Sequence, residues 1–182
     1  MLRRTIHVVV LVAGLQIAWA QTLSVPFFAQ QKNGCGAASV AMVMHYWSSE
    51  QGDIDQYPKA PDIYAALYDA KLRGIPLVDM KHYLEGKGFR AFTFHGRWSD
   101  VEQQLEKRRP LIVSLKKKAS SPMHFAVVTG AGRNEVQLND PTHEGTTRMK
   151  REEFEKRWKY AETWMLLAVP SGSSSLTPKA AN

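Results

Sequence analysis

The sequence predicts an α+β domain, with its helices mostly early in the chain and its strands mostly late. Three observations lead to this. Between Gly36 and Gly88 the apolar residues recur at helical spacing in three successive segments. After Phe89 the apolar residues fall mainly into short runs bounded by Gly, Pro or Asn, as strands do. The strands and helices do not alternate as a parallel sheet with crossovers requires, and no internal repeat is present.

The first twenty residues are set apart. "MLRR" is basic, "TIHVVVLVAGLQIAWA" is mostly apolar, and Ala18-Trp19-Ala20 is a small-x-small cleavage signature. This is the layout of a secretory signal peptide, expected to be cut after Ala20. The apolar run is shorter than the roughly 20 residues of a spanning helix. No cysteine follows the cut, so no lipid anchor is expected there. Residues 21–170 are then expected to form one domain, and 171–182, "SGSSSLTPKAAN", a disordered tail without apolar periodicity. Localisation beyond the inner membrane, periplasmic or extracellular, follows as an expectation.

The elements follow in order. "TLSVPFFAQQ" reads as extended, Pro26 arguing against a helix. From Cys35 a helix is predicted to near "SSEQGD", with Val40, Val43, Met44 and Trp47 on one face. "APDIYAALYDAK" predicts a second, Pro61 suiting its first turn and Ile63, Ala66, Leu67 and Ala70 forming a stripe. "PLVDMKHYLEGKG" predicts a third, closed by glycines. "FRAFTFHG" alternates as a strand. "WSDVEQQLEKRR" predicts a helix with Ser99 as N-cap and Glu102 three residues on. "PLIVSLK" is a compact strand, "MHFAVVTGAGRNEVQLNDP" a hairpin, "KREEFEKRW" a short helix and "TWMLLAVP" a last buried strand.

Charge excludes little. Removal of residues 1–20 takes Arg3 and Arg4 and leaves 162 residues with 22 basic and 17 acidic side chains, a net +5. The excess gathers in "EKRRP" and "LKKKAS". These runs lack interleaved aromatics and no nucleic-acid module is recognisable, so nucleic acid is not an expected partner. The mild net charge does not by itself choose between acidic peptides and anionic polymers.

Cys35 is the only cysteine, so no internal disulfide can form. It stands where a helix begins, where unpaired N–H groups and the helix dipole stabilise a thiolate. Gly34 and Gly36 flank it, which reads as room for a substrate backbone. A reactive thiol needs a base. His45 lies ten residues on along the same helix, about 15 Å away at 1.5 Å per residue. His82 and His95 read as surface residues. His124, opening the apolar strand "HFAVVTG", is the candidate base. If "GAGRN" turns symmetrically about Gly132, Asp140 lies directly opposite His124, where its carboxylate can fix the imidazole tautomer. A slip of one residue puts Asn139 there instead. An acyl-transfer site also needs an oxyanion donor beyond the Cys35 N–H. Gln30 and Gln31 lie just upstream, and an extended segment turns only one of them inward.

With those residues assembled, the sequence resembles the papain-like cysteine peptidases. In particular it is similar to the bacteriocin-processing, double-glycine leader peptidases and their stand-alone secreted relatives. "VPFFAQQKNGCGAASVAMVMHYW", "MHFAVVTG" and "LNDP" carry the resemblance, supported by "RPLIVSLK" and "FEKRWKYAETWMLLAVP", over residues 24–170. It implies a papain-like fold with a helical N-terminal half carrying the cysteine and an antiparallel sheet carrying the histidine and aspartate. It implies Cys35 as nucleophile, His124 as base and then acid, Asp140 as orienting group, and Gln30 rather than Gln31 as oxyanion donor. The expected activity is peptide-bond hydrolysis, with a peptide or protein substrate and no cofactor. Acyl transfer to an amine would use the same residues, and a non-catalytic peptide-binding module would share the fold. Many relatives are fused to ATP-driven exporters. This sequence has no G-x-x-x-x-G-K-[ST] loop and no spanning run after the signal, so ATP binding and export are not expected. Zinc accepts Cys, His and Asp, and His143 could join them, but neither H-E-x-x-H nor C-x-x-C is present, and no metal is expected.

Overall fold

The computed structural model describes residues 21–52 and 57–172. The expected signal segment 1–20 and residues 173–182 of the expected tail lie outside the described residues. The helical half comprises α1 (Cys35–Gln51), α2 (Ala60–Leu67) and α3 (Leu77–Gly86). The sheet half comprises β2 (Phe89–His95), β3 (Leu111–Leu115), β4 (His124–Ala131), β5 (Glu135–Asn139), β6 (Thr146–Lys150) and β7 (Trp164–Pro170). It also contains α4 (Trp98–Glu106) and α5 (Arg151–Tyr160), and the short β1 (Gln21–Thr22) joins its β4. The strands run in the order β2-β7-β3-β4-β5-β6 and every pairing is antiparallel. Among the described residues no helix is long and apolar enough to cross a membrane.

Helix α1 starts at Cys35 and stops at Gly52, whose φ of 80° is left-handed backbone that costs glycine little. The sequence predicts one apolar face. The structure instead buries every residue from Gly36 to Ser48, because α1 packs against α2 and α3 as well as against β3, β4 and β7. Val40, Met42, Val43, Met44 and Trp47 are all sealed from water. Each such side chain contributes about 1.5–3 kcal/mol by burial.

Helix α2 is shorter than its stripe predicts. It ends at Leu67, and of the expected stripe only Ile63 is fully buried; Ala66 is exposed and Ala70 lies beyond the helix. The chain turns instead through a bridge between Asp69 and Gly74, whose backbones exchange hydrogen bonds of 2.9 and 3.2 Å. The Asp69 carboxylate holds the tip by accepting from the Lys71 and Leu72 N–H groups at 2.7 and 2.9 Å.

Helix α4 starts two residues earlier than expected, so Ser99 is not its N-cap. Arg97 occupies that position, and its N–H donates to the Asp100 carboxylate at 2.7 Å. Glu102 is taken by the Trp98 indole N–H at 2.6 Å. Strand β6, "TTRMK", is an addition. It is a polar outer strand whose burial alternates between exposed and half-buried, so no apolar run announces it.

The glycines around Cys35 serve packing, which corrects the expectation that they leave room for a substrate backbone. Both are buried. A Cβ on Gly34 would meet the Tyr64 ring at 2.8 Å, and one on Gly36 would meet Met80 Sδ at 2.9 Å and Ile75 Cβ at 3.1 Å. They let α2 and α3 close onto the start of α1. Gly36→Val should therefore overpack this contact, costing about 2 kcal/mol and lowering the melting temperature by about 5 °C. Thermal unfolding followed by circular dichroism checks this; an unchanged midpoint would show that the neighbours yield freely.

Candidate active site

The site is built where the start of α1 meets the end of the β4–β5 pair. The chain into Cys35 is shaped by its own backbone. Gly34 N–H bonds the Gln31 carbonyl at 2.8 Å, and Asn33 takes the left-handed conformation (φ 59°) that Asn tolerates. Tyr64 clamps the turn by donating its hydroxyl to the Lys32 carbonyl at 3.1 Å. The half-buried thiol of Cys35 thus opens the helix at the edge of a cleft of about 980 Å³. Gln30, Cys35, His124 and Asp140 all line this cleft. Gln31 is exposed, whereas the side-chain oxygen of Gln30 is buried and has no hydrogen-bond partner.

His124 begins β4 and donates its Nε2–H to Asp140 Oδ1 at 2.7 Å, leaving Nδ1 as the nitrogen available to Cys35. Directly opposed pairing of the two residues is not what brings them together. The hairpin loop closes between Gly132 and Glu135, whose N–H and carbonyl lie 2.8 Å apart, so its centre falls past Gly132. A bulge at Thr129 then shifts the register, and the last pair in the ladder is Val127 with Asn139. The Thr129 carbonyl accepts from the Leu23 N–H at 2.7 Å, next to the β1 pairing on the other edge of β4. Asp140 stands one residue beyond the ladder and reaches His124 diagonally along one face. The net displacement by two residues keeps the face that a displacement by one would have lost. Asn139 is fully buried elsewhere. Its Nδ2 donates to the Val25 carbonyl at 2.9 Å, and its Oδ1 accepts from the Thr146 hydroxyl at 2.7 Å.

Thr142 is a contributor that the sequence reading passed over. Its N–H and hydroxyl both donate to Asp140 Oδ1, at 3.0 and 2.7 Å. The signal was present in "NDPT", since an Asp side chain commonly accepts from the backbone two residues on. His143 Nδ1 lies 3.4 Å from Asp140 Oδ2. Of the other histidines, His45 is buried against Phe28 with Nε2 3.3 Å from the Pro58 carbonyl, and His82 and His95 are exposed away from the cleft.

These contacts decide the charges. Burial would raise the Asp140 carboxyl, but the hydrogen bond and charge of His124 and the two Thr142 donors hold it well below the usual carboxylate range. Burial would likewise depress the His124 imidazolium. Asp140 and Cys35, acting by hydrogen bonding and charge, outweigh this and raise it to about 9. At neutral pH the arrangement therefore holds an imidazolium beside an ionised carboxylate. It can deliver a proton at the same place where a sulfur is presented.

Residues 22–164 match the model of the Peptidase_C39 like family. The chain belongs to that family. Its members are cysteine-type peptidases, and the chain has their papain-like fold. The probable functional amyloid protease FapD of Pseudomonas fluorescens is 29% identical over 126 residues, covering 68% of this chain and 52% of that protein. The chain thus spans about half the length of the curated relative it matches. Among solved structures, a double-glycine-motif protease from an AMS/PCAT transporter, in complex with its leader peptide, superposes with a TM-score of 0.62 at 20% identity, over 82% of this chain and 94% of that one. The peptidase domain of Streptococcus ComA, a bifunctional ABC transporter, gives 0.61 at 19% identity, over 79% and 96%. A C39-like peptidase from Bacillus anthracis gives 0.59 at 14% identity, over 80% and 94%. At these identities the structural likeness shows the fold.

The raised His124 has a consequence for stability. A histidine that holds its proton more tightly when folded stabilises fully below its unfolded pKa, near 6.5, and loses that contribution as pH rises through about 9. The stability advantage of wild type over His124→Gln in urea denaturation should accordingly be constant near pH 6 and shrink between pH 6.5 and 9. NMR should find the His124 ring still protonated at pH 7.5. Titration of that ring near 6.5 would contradict the assignment.

Proposed function

We propose that this peptidase-family chain hydrolyses peptide bonds outside the cytoplasm, after loss of residues 1–20, through a Cys35–His124–Asp140 triad and a thioester intermediate. The observation that carries the reading is His124, bonded to Asp140 at 2.7 Å through Nε2 and raised to about 9 by Asp140 and Cys35 together. Attack by the Cys35 thiolate on the carbonyl carbon forms a C–S bond and moves an electron pair onto the oxygen. Collapse of that intermediate breaks the C–N bond, and the His124 imidazolium gives its proton to the departing amine. Water then attacks the thioester. Neutral His124 takes the water's proton, the acid departs, and sulfur leaves as thiolate beside a restored imidazolium. Asp140 holds the ring throughout without itself gaining a proton.

Gln30 is the proposed second oxyanion donor beside the Cys35 N–H. Its backbone N–H is fixed to the Pro141 carbonyl at 3.0 Å, which anchors it to the strand end carrying Asp140. Its side-chain oxygen has no partner, so no ground-state hydrogen bond is lost when the amide turns its N–H to a developing negative charge.

Incubation of residues 21–182 and of its Cys35→Ala variant with a proteome-derived peptide library, read by mass spectrometry, tests the reading. Wild type should produce cleavages and Cys35→Ala none, while remaining folded. On a substrate found in this way, Gln30→Ala should lower kcat by about 10²-fold and Gln31→Ala should leave it unchanged. Asp140→Asn should be strongly impaired but not silent, with the alkaline limb of kcat/KM moving to lower pH because a group that raises His124 is gone. Cleavage by Cys35→Ala at the wild-type rate would reject the mechanism.

A further inference from the structure

The cleft has two rims, and their side chains are not those of a neutral groove. On the α1 side the rim is the tip of the Asp69–Gly74 turn. Leu72 stands there 67% exposed, and Arg73 follows in the left-handed conformation (φ 53°). Neither is a loose surface residue. The turn is closed by two backbone hydrogen bonds and pinned by the Asp69 carboxylate on Lys71 and Leu72 N–H. An arginine held in left-handed backbone is strained by about 1 kcal/mol or more, which the rest of the turn must offset.

On the His124 side the rim is the stretch between β3 and β4. Met123 is 45% exposed there, beside Lys116 and Lys117. The Lys116 N–H is fastened to the Arg157 carbonyl at 3.1 Å, which fixes this rim to α5. Arg73, Lys116 and Lys117 form no ion pair among the described residues. Among the described residues the one carboxylate lining the cleft is Asp140, and it is already engaged by His124 and Thr142. Each rim therefore presents one large exposed apolar side chain and at least one unneutralised cation.

We propose that the two rims form a clamp for an extended peptide that carries acidic residues together with a large apolar side chain. This rests on the peptidase reading of the same cleft and adds its substrate class. The pattern argues for it in two ways. Solvent-exposed leucine and methionine on either side of one cleft have a use when a third apolar side chain lies between them. Three cations with no ion pair among the described residues, around a cleft whose one described acid is engaged, repel basic peptides and attract acidic ones, by contact and by steering.

The test uses binding as well as turnover, so that the clamp and the chemistry can fail separately. Coumarin-labelled twelve-residue peptides with one central Leu and two Glu, and matched peptides with Gln or Lys replacing Glu, are titrated into Cys35→Ala protein. Fluorescence anisotropy reads the affinity. The Glu peptide should bind about five-fold more tightly than the Gln peptide, and the Lys peptide more weakly still. Raising salt from 50 to 500 mM should erase the difference. The Lys116→Glu/Lys117→Glu protein should reverse the order, and Arg73→Glu should weaken it. Replacing the peptide Leu by Ser should weaken binding to all of them. Equal affinity for the Glu and Gln peptides overturns the clamp, as does an order indifferent to charge reversal. Polyphosphate binding as tightly as the Glu peptide, with no effect of Leu→Ser, would identify a generic polyanion surface and overturn it too. If the Glu peptide binds as expected but wild type cleaves no member of the library, the clamp stands and the hydrolytic reading falls.

Discussion

A buried carboxylate stays ionised only while donors converge on it, and Asp140 meets that condition through three of them. His124 Nε2 and both donors of Thr142 reach Oδ1 at 2.7–3.0 Å. Without them burial would push the carboxyl toward its neutral form, and a neutral carboxyl would neither fix the imidazole tautomer nor raise its pKa. The charge on His124 is thus borrowed from Asp140, and Asp140 keeps its own charge because Pro141 and Thr142 turn the chain back over it. The chemistry of the cleft depends on a turn of three residues at a strand end.

Cys35, the proposed nucleophile, comes from a different part of the chain, so its position relative to His124 has to be fixed by something other than local geometry. The segment upstream of Cys35 does this. Leu23 N–H bonds the Thr129 carbonyl at 2.7 Å, Asn139 Nδ2 bonds the Val25 carbonyl at 2.9 Å, and Gln30 N–H bonds the Pro141 carbonyl at 3.0 Å. Successive points on one extended strip are tied in order to β4, to the end of β5 and to the turn after Asp140. The strip then enters α1 at Cys35, and the glycines let α2 and α3 hold that end of the helix. The first of these ties continues the pairing of β1 along the edge of β4 that faces away from β5. This backbone stitching places sulfur and imidazole on one cleft without a disulfide.

The sequence shows much of this architecture and conceals some of it, for reasons that can be named. The buried strands β3 and β7 are legible because burial on both faces leaves an unbroken apolar run, and the helices because apolar residues recur at helical spacing. Strand β6 is not, since none of its residues is fully buried and it is held by its ladder to β5 and by the Thr146 and Thr147 hydroxyls, which leave no apolar pattern. The end of α2 was hidden because an alanine-rich stripe continues on paper past the point where Asp69 captures the chain. Helix α4 was offset because Asp100 and Ser99 offer competing ways to cap it, and Glu102 is drawn to Trp98. A turn centred on Gly132 and the observed register differ by two residues, and both leave His124 and Asp140 on the same face. The parity of a strand forgives an even error and would not have forgiven an odd one. The glycines misled in the other direction: small residues beside a cysteine look like space for substrate, and only packing shows that Tyr64, Ile75 and Met80 already fill it.

The separation of tasks inside the cleft follows from distance and screening. Charges in the His124–Asp140 pair are close, largely shielded from water and little affected by salt, so they set the proton chemistry. Arg73, Lys116 and Lys117 stand at the rims in contact with solvent, where charge is screened within about 8 Å at physiological ionic strength. Cations in that position act on an approaching chain far more than on the imidazole. Rim side chains can then change which peptides are held without disturbing the protonation of the site, provided the turns that carry them keep their shape. Both rims are fastened by backbone, one through Asp69 and Gly74 and the other through Lys116 and Arg157, so the side chains on them are free to vary. On the proposed reading, a cleft built in this way keeps one chemistry and leaves its substrate to a few exposed residues on two backbone-fastened rims.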